Sequence, residues 1–131
     1  MKVFQSPFAY TVIGAAIRVH RSLGPGCFES VYESCLDREF KEIELPFERQ
    51  VEIPVSYRGE QIGPAFRADF VVGGVLLVEL KSVERLHPVH ASQVLTYLRL
   101  TGLQQALLIN FNVSVLRHGI KSFLSPTVLN K

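Results

Sequence analysis

Val75-Leu76-Leu77-Val78-Glu79-Leu80-Lys81 is a run of β-forming residues that ends in an acid and a base two positions apart. In a strand, successive side chains point to opposite faces, so Val75, Leu77, Glu79 and Lys81 share one face. Leu76, Val78 and Leu80 share the other, which is wholly apolar. The first face starts apolar and turns charged at its C-terminal end. A buried central strand that carries a charged pair to the rim of a sheet has this pattern.

Upstream, Gly73-Gly74 turns the chain, and Ala65 to Val72 reads as the preceding strand, with Phe66, Ala68, Phe70 and Val72 expected on one face. Arg67, Asp69 and Val71 take the other face. Asp is a poor strand former, so Asp69, one hairpin from Glu79 and Lys81, invites a site reading. Pairing with Arg67 or a Lys across the sheet is the plainer alternative. Before a turn at Arg58-Gly59-Glu60, residues 47 to 57 alternate well enough for a half-buried strand, and Pro54 predicts an edge position or a bulge. The simplest connection of the three strands is an antiparallel meander.

Two helices precede the strands. Ser6-Pro7 resembles a helix start, with apolar residues at helical spacing to Leu23, and Gly24-Pro25-Gly26 stops that helix. The second runs from near Phe28 to about Ile43 and is closed by Pro46. On its wheel Glu29 projects between Leu36 and Phe40, inside the apolar stripe, and Glu39 also falls inside the stripe, beside Tyr32. Ser30, Glu33, Asp37 and Lys41 occupy the solvated side. A carboxylate facing a core must be neutral, paired or bound to a cation, and phase alone does not choose between Glu29 and Glu39.

After Lys81 a polar link leads to a helix from about Val89 to Thr101, ended by Gly102. Ala91, Val94, Leu95 and Leu98 make its expected buried face. Gln93 and Tyr97, four apart, share a neighbouring face, with His90 a turn earlier. Gln105 to Phe111 reads as a fully buried strand and Val113 to Leu116 as a short one, with the tail from Gly119 unassigned. The order α-α-β-β-β-α-β predicts an α/β sandwich around a mixed sheet.

At 131 residues, 47% hydrophobic and 20% charged, one packed domain spanning 1–131 is expected. No apolar run approaches the ~18 residues of a membrane helix, and Met1 to Tyr10 lacks the continuous apolar segment of a leader. Cys27 and Cys35 have no partners at zinc-finger spacing and read as reduced thiols of a cytoplasmic protein. A net charge of +2 permits a nucleic-acid partner without demanding one.

Hard divalent cations such as Mg²⁺ or Mn²⁺ take oxygen ligands: one or two carboxylates, waters and substrate phosphate. Asp69 and Glu79 on adjacent strands can supply the carboxylates, and the Leu80 carbonyl a third ligand. A metal so held activates water and stabilises charge developing on phosphorus. Lys81, on the same face as Glu79, can orient that water and meet the phosphate charge. The bland reading is a surface Glu79–Lys81 ion pair.

Asp69…Glu79-Leu80-Lys81 resembles the signature of the PD-(D/E)XK nuclease superfamily, with Ala68 where the name has Pro. Gln93-Val94-Leu95-Thr96-Tyr97 resembles the Q-x-x-x-Y motif of its exonuclease-like branch. Gly26-Cys27-Phe28-Glu29-Ser30-Val31-Tyr32 matches the motif that names the GxxExxY protein family within that superfamily. The likeness runs from about residue 8 to 112 and implies an αβββαβ restriction-endonuclease-like core behind an extra N-terminal helix. It implies a metal-dependent phosphodiesterase in which Glu29 is the helix acid and joins the metal set, Asp69 and Glu79 are the strand metal ligands, and Lys81 is the catalytic base partner. Gln93 and Tyr97 would position the phosphate or the lysine, and Glu39 becomes structural. Arg67, Arg85, His90 and His20 are candidate substrate contacts. The implied substrate is nucleic acid, DNA before RNA, and the small size leaves room for a homodimer. A nucleic-acid-binding or protein-interaction module that kept the fold without turnover is the alternative, although every acidic and basic position of the site is filled.

Overall fold

The computed structural model describes residues 6–125, so both ends of the expected 1–131 domain, and half of the first ten residues read for a leader, lie outside it. The elements are α1 (Ala9–Leu23), α2 (Glu29–Glu42), β1 (Phe47–Tyr57), β2 (Glu60–Val72), β3 (Leu76–Lys81), α3 (Pro88–Thr101), β4 (Gln105–Asn110) and β5 (Ile120–Leu124). One five-stranded sheet has the order β1-β2-β3-β4-β5. The first three strands form the expected meander, β4 lies parallel to β3, and β5 is antiparallel to β4. This is the mixed α/β sheet anticipated from the element order. Among the described residues no helix is long and apolar enough to cross a membrane.

The sheet is covered on both faces. One layer packs Val12, Ala16, Val19, Tyr32, Leu36 and Phe40 of α1 and α2 on Phe70, Val78, Leu80, Leu107, Ile109 and Phe111. The other packs Val94, Tyr97 and Leu98 of α3 on Leu77, Ala106 and Leu108. Strand β4 therefore has no solvated face, which explains its unbroken apolar run. On α3 it is Tyr97 that is buried while Leu95 stays exposed, reversing the expectation for Leu95.

Two glycines fix the turn before β3. Gly73 and Gly74 both have positive φ, 60° and 69°, and a Cβ on Gly73 would strike the Phe8 ring. The helix α1 starts later than expected: Ser6 forms a turn, its Oγ accepting the Phe8 N–H at 3.1 Å, rather than capping the helix directly. The stretch 113–116 is not a strand. It bends into a short 3₁₀ turn, Leu116–Gly119, and the sheet is extended instead by β5 from the tail. Gly119 packs against the Asn110 carbonyl at that reversal.

The hairpin β1–β2 changes faces along its length. Phe47, Phe70 and Val72 belong to the α1/α2 layer, yet Ile53, Phe66 and Ala68 belong to the α3 layer. Phe66 and Ala68 thus do not share a packing face with Phe70 and Val72 as strand alternation predicts. The switch falls at Gln50, whose φ is 55°, opposite Asp69 in the ladder, where Arg49 pairs with Phe70 and Val51 with Ala68. Left-handed backbone in a non-glycine residue reorients the ribbon at this point. The bulge expected near Pro54 is present between Ile53 and Val55.

Candidate active site

The β2–β3 ladder stops at Phe70 and Val78, so Asp69 and Glu79 face each other across strands that have begun to separate. Side chains replace the missing backbone pairs. Glu79 Oε1 accepts the Asp69 N–H at 2.8 Å, and Asp69 Oδ2 accepts the Leu80 N–H at 2.8 Å. In a strand the N–H and C=O of one residue point the same way, so the Leu80 carbonyl faces the same gap. Beyond it Lys81 turns its carbonyl to β4 and accepts the Phe111 N–H. Lys81 itself is half-buried and makes no ion pair among the described residues. Because Glu79 is buried, the reading as an exposed ion pair with Lys81 falls.

Burial pushes the Asp69 carboxyl up to about 6 against the pull of the Leu80 N–H, with Glu33 and Glu29 adding to the rise. Burial, then the charge of Asp69, pushes Glu79 up to about 8, while the Asp69 N–H and Lys81 pull it down. Asp69 is not paired with Arg67, which is exposed on the hairpin. These are acids crowded without enough positive charge around them, an arrangement that recurs at functional sites.

The N-terminus of α2 is brought to the same point. Gly26 has φ 101°, which only glycine adopts readily, and Tyr32 holds the loop around it. The Tyr32 hydroxyl donates to the Gly24 carbonyl at 2.5 Å and accepts the Cys27 N–H at 3.2 Å, while its ring stacks on Phe111 at 4.4 Å. Cys27 O then accepts the Ser82 hydroxyl at 2.6 Å, and Glu29 Oε2 takes the Ser82 N–H at 3.4 Å. Glu29 is the first residue of α2 and is exposed, so it reaches the site from the helix end and not from the apolar stripe. Glu39 instead pairs with Arg18 at 2.7 Å, as a structural residue would. Cys27 and Cys35 are free and half-buried.

On the other face, burial raises the Tyr97 hydroxyl, and the charges of Glu79 and Asp69 raise it further, which puts it beside the cluster. Its ring lies 5.3 Å from Phe66. Gln93 is half-buried one turn earlier, and its side chain makes no hydrogen bond among the described residues. His90 accepts the His87 N–H at Nδ1 and is held below the usual imidazole range by burial, Lys81 and His87, with Glu29 opposing. Arg85 is exposed in the link and, with Val83, Glu84, His87 and His90, lines a cleft of about 390 Å³ beside the site. His20 stands apart from the acids. It is buried, donates to the Val113 carbonyl at 2.7 Å, and borders a separate cleft of about 520 Å³ with Arg21, Pro25 and Arg117. That cleft and one of about 470 Å³ between α1 and α2 are the roomier hollows, but Asp69 and Glu79 line neither.

Three residues escape a reading of the sequence alone. Glu33, expected in solvent, is half-buried between strand and site: it takes Arg49 Nε at 2.6 Å and Gln50 Nε2 at 2.8 Å. Gln50 Nε2 also donates to Asp69 Oδ1 at 3.3 Å, so the strained residue touches a candidate ligand. Asn110, on the parallel strand opposite Lys81, grips Val83 through both N–H and carbonyl, at 3.1 and 3.0 Å. The fall of an alternating pattern at Gln50 and one polar residue ending an apolar run at Asn110 are the available signals.

The sequence matches the family model of the PD-(D/E)XK nuclease superfamily over residues 6–123. This chain belongs to the PD-(D/E)XK nuclease superfamily. No curated protein and no solved structure matches it. The three α-helices and five-stranded mixed sheet among the described residues are consistent with the superfamily core. PD-(D/E)XK nucleases generally use divalent metal ions. Among the described residues no three His, Cys, Asp or Glu side chains already form a closed ligand set. Two opposed carboxylates and a backbone carbonyl, with waters for the remainder, nevertheless suit an ion of the Mg²⁺ type, which keeps several waters. Burial first, and then the neighbouring acids, raises both carboxyl pKa values, and a cation held between them would favour the charged forms.

Proposed function

We propose that this chain is a Mg²⁺- or Mn²⁺-dependent nuclease of the GxxExxY branch that hydrolyses phosphodiester bonds of DNA, with RNA the second candidate substrate. The observation that carries the reading is the facing Asp69–Glu79 pair at the point where the strands part, with Lys81 two residues on. Asp69, Glu79 and the Leu80 carbonyl would hold the ion, with Glu29 at its outer side. When bound, the ion supplies a water of lowered pKa and a counter-charge for the phosphate.

The remaining tasks fall to the chain. Lys81, on the Glu79 face, would orient the attacking water and meet charge building on phosphorus. Tyr97, kept protonated by its surroundings, offers a hydroxyl that can accept from the Lys81 ammonium or donate to a phosphate oxygen, with Gln93 one turn away. Arg85 and His90 line the adjacent cleft where a neighbouring phosphate would lie. Arg67 on the hairpin is a more distant contact, and His20 is the weakest of the candidates because its Nε2–H is already used. The GxxExxY assignment is supported by the work each letter does: Gly26 allows the loop, Tyr32 holds it, and Glu29 is aimed by it. Two free cysteines fit a cytoplasmic setting.

The test is cleavage of labelled single-stranded, duplex and branched oligonucleotides with Mg²⁺ or Mn²⁺, comparing wild type with Lys81→Ala. Loss of about 10²-fold or more in rate with an unchanged fold supports the reading. A wild type that cuts none of these substrates overturns it.

A further inference from the structure

Phe28 is 82% exposed, the most exposed of the large hydrophobic side chains among the described residues. A lone exposed apolar residue is ordinary. This one is held in place on both sides. Its neighbours Cys27 and Glu29 each bond Ser82, the residue after Lys81, through the Cys27 carbonyl and the Glu29 carboxylate. Its own carbonyl accepts the N–H groups of Val31 and Tyr32, which start α2. The ring therefore stands on rigid backbone beside the candidate acids, where Glu29 acts on both Asp69 and Glu79.

The surroundings fit a nucleotide better than an apolar partner. Ser82, which ties down both flanks of Phe28, directly follows Lys81, and Arg85 lines the adjoining cleft with His87, His90 and one acid, Glu84. A phosphate track beside a rigid aromatic face is the combination that binds an unpaired nucleotide: cations take the backbone and the ring takes the base. A paired base has both faces covered by its own stack. We infer that Phe28 is a base-stacking subsite that selects an unpaired nucleotide next to the scissile phosphate, in a single strand or a frayed end. This rests on the nucleic-acid reading given above.

The chain has no tryptophan, so Phe28→Trp introduces a single reporter at the subsite. The measurement pairs the indole emission of that variant with the anisotropy of a labelled oligonucleotide in Ca²⁺, an ion that accepts oxygen ligands in flexible geometry. A single strand should quench the indole as it binds, and an abasic position next to the cleaved linkage should remove the quench. Phe28→Ala should weaken single-strand binding about five- to a hundredfold and leave Mn²⁺ affinity unchanged, with blunt duplex affected less than twofold. Exposure of the side chain predicts unaltered melting for both variants. A strand that binds Phe28→Trp while the indole emission stays constant, or that binds Phe28→Ala as it binds wild type, overturns the subsite and leaves the nuclease reading standing. A protein that binds no strand at all overturns both.

Discussion

Asp69 and Glu79 sit opposite one another at the end of the β2–β3 ladder, and each carboxylate receives a backbone N–H that a continued ladder would have spent on a carbonyl. The strands can separate there without orphaning those donors. The gap that results is lined by two acids on one side of the sheet and one free-facing carbonyl. The same feature that opens the sheet thus arms it.

Metal binding should be proton-linked. Both carboxyls are shifted up, to about 6 and about 8, so below those values an incoming ion must displace protons. Mn²⁺ affinity by calorimetry should rise as pH increases from about 5.5 to 8, by up to roughly tenfold per unit for each proton released. The metal-free protein should show the reverse trend in stability. A raised folded-state value means the contribution is complete below the unfolded-state value near 4 and is lost as pH climbs through 6 and then 8. In chelator, wild type should melt lower at pH 8.5 than at pH 5.5. Glu79→Gln, which abolishes the upper titration, should melt above wild type at pH 8.5 and fail to bind Mn²⁺. A Glu79→Gln protein that melts lower than wild type at that pH contradicts this account.

Tyr32→Phe separates packing from positioning. The ring keeps its stack on Phe111, but the hydroxyl's bonds to Gly24 and Cys27 disappear in a fully buried place. Stability should fall by about 1–3 kcal/mol in denaturant titration. Cleavage should fall further than that loss explains, because the freed loop no longer fixes Glu29 over Ser82. Tyr32→Ala, by contrast, should cost about 3–5 kcal/mol through the cavity alone. A Tyr32→Phe enzyme with wild-type turnover at a temperature where it is fully folded counts against the positioning role.

Much of this is legible in the sequence, for local reasons. The β3 run, the turn at Gly73-Gly74 and the partnership of Asp69 with Glu79 follow from period-two alternation and a tight hairpin, and α2 and α3 from helical spacing. What escapes depends on contacts that one element's pattern does not contain. A helical wheel places Glu33 in solvent because it knows nothing of Arg49 and Gln50 on β1, which reach across to it. Strand alternation puts Phe66 with Phe70 because the turn of the ribbon is made by the backbone of Gln50, not by any change in side-chain pattern. Strand β5 is hard to see because Ile120-Lys121-Ser122-Phe123-Leu124 is a short edge segment whose alternation is imperfect.

Gln50 should behave as a residue that lowers stability and raises activity. Its φ of 55° carries the cost of left-handed backbone, about 1 kcal/mol for a non-glycine residue, and its amide bridges Glu33 and Asp69. Gln50→Gly relieves the backbone cost while removing the bridge. We expect it to melt at or above the wild-type temperature and to cleave about tenfold more slowly, with weaker Mn²⁺ binding in calorimetry. Gln50→Asn tolerates the same backbone but is one methylene short of the two acids, so it should fold normally and also lose activity. A Gln50→Gly protein that gains stability and keeps full activity would show that the strain serves only the turn of the hairpin.

Asn110 offers the sharpest test of whether the loop after Lys81 is held for function. Its side chain is buried, takes the N–H groups of Val83 and Asn112, and donates to the Val83 carbonyl. Asn110→Ala deletes all three bonds and leaves the backbone groups of Val83 to find water, costing about 2–3 kcal/mol. Asn110→Asp keeps both acceptor bonds but loses the amide donor and sets a carboxylate against the Val83 carbonyl. It should destabilise as well, and more at pH 8 than at pH 4, where the acid is protonated and can donate again. The position lies opposite Lys81 in the parallel register, so slack in this loop shifts the lysine and the Ser82 tether together. Steady-state cleavage at saturating Mn²⁺ should then show a fall in kcat of about tenfold or more for Asn110→Ala with metal affinity kept, because Asp69 and Glu79 are held by their own bonds to the Leu80 and Asp69 N–H groups, which the lost side chain does not make. Equal losses of metal binding and turnover would instead mean that Asn110 supports the sheet end as a whole.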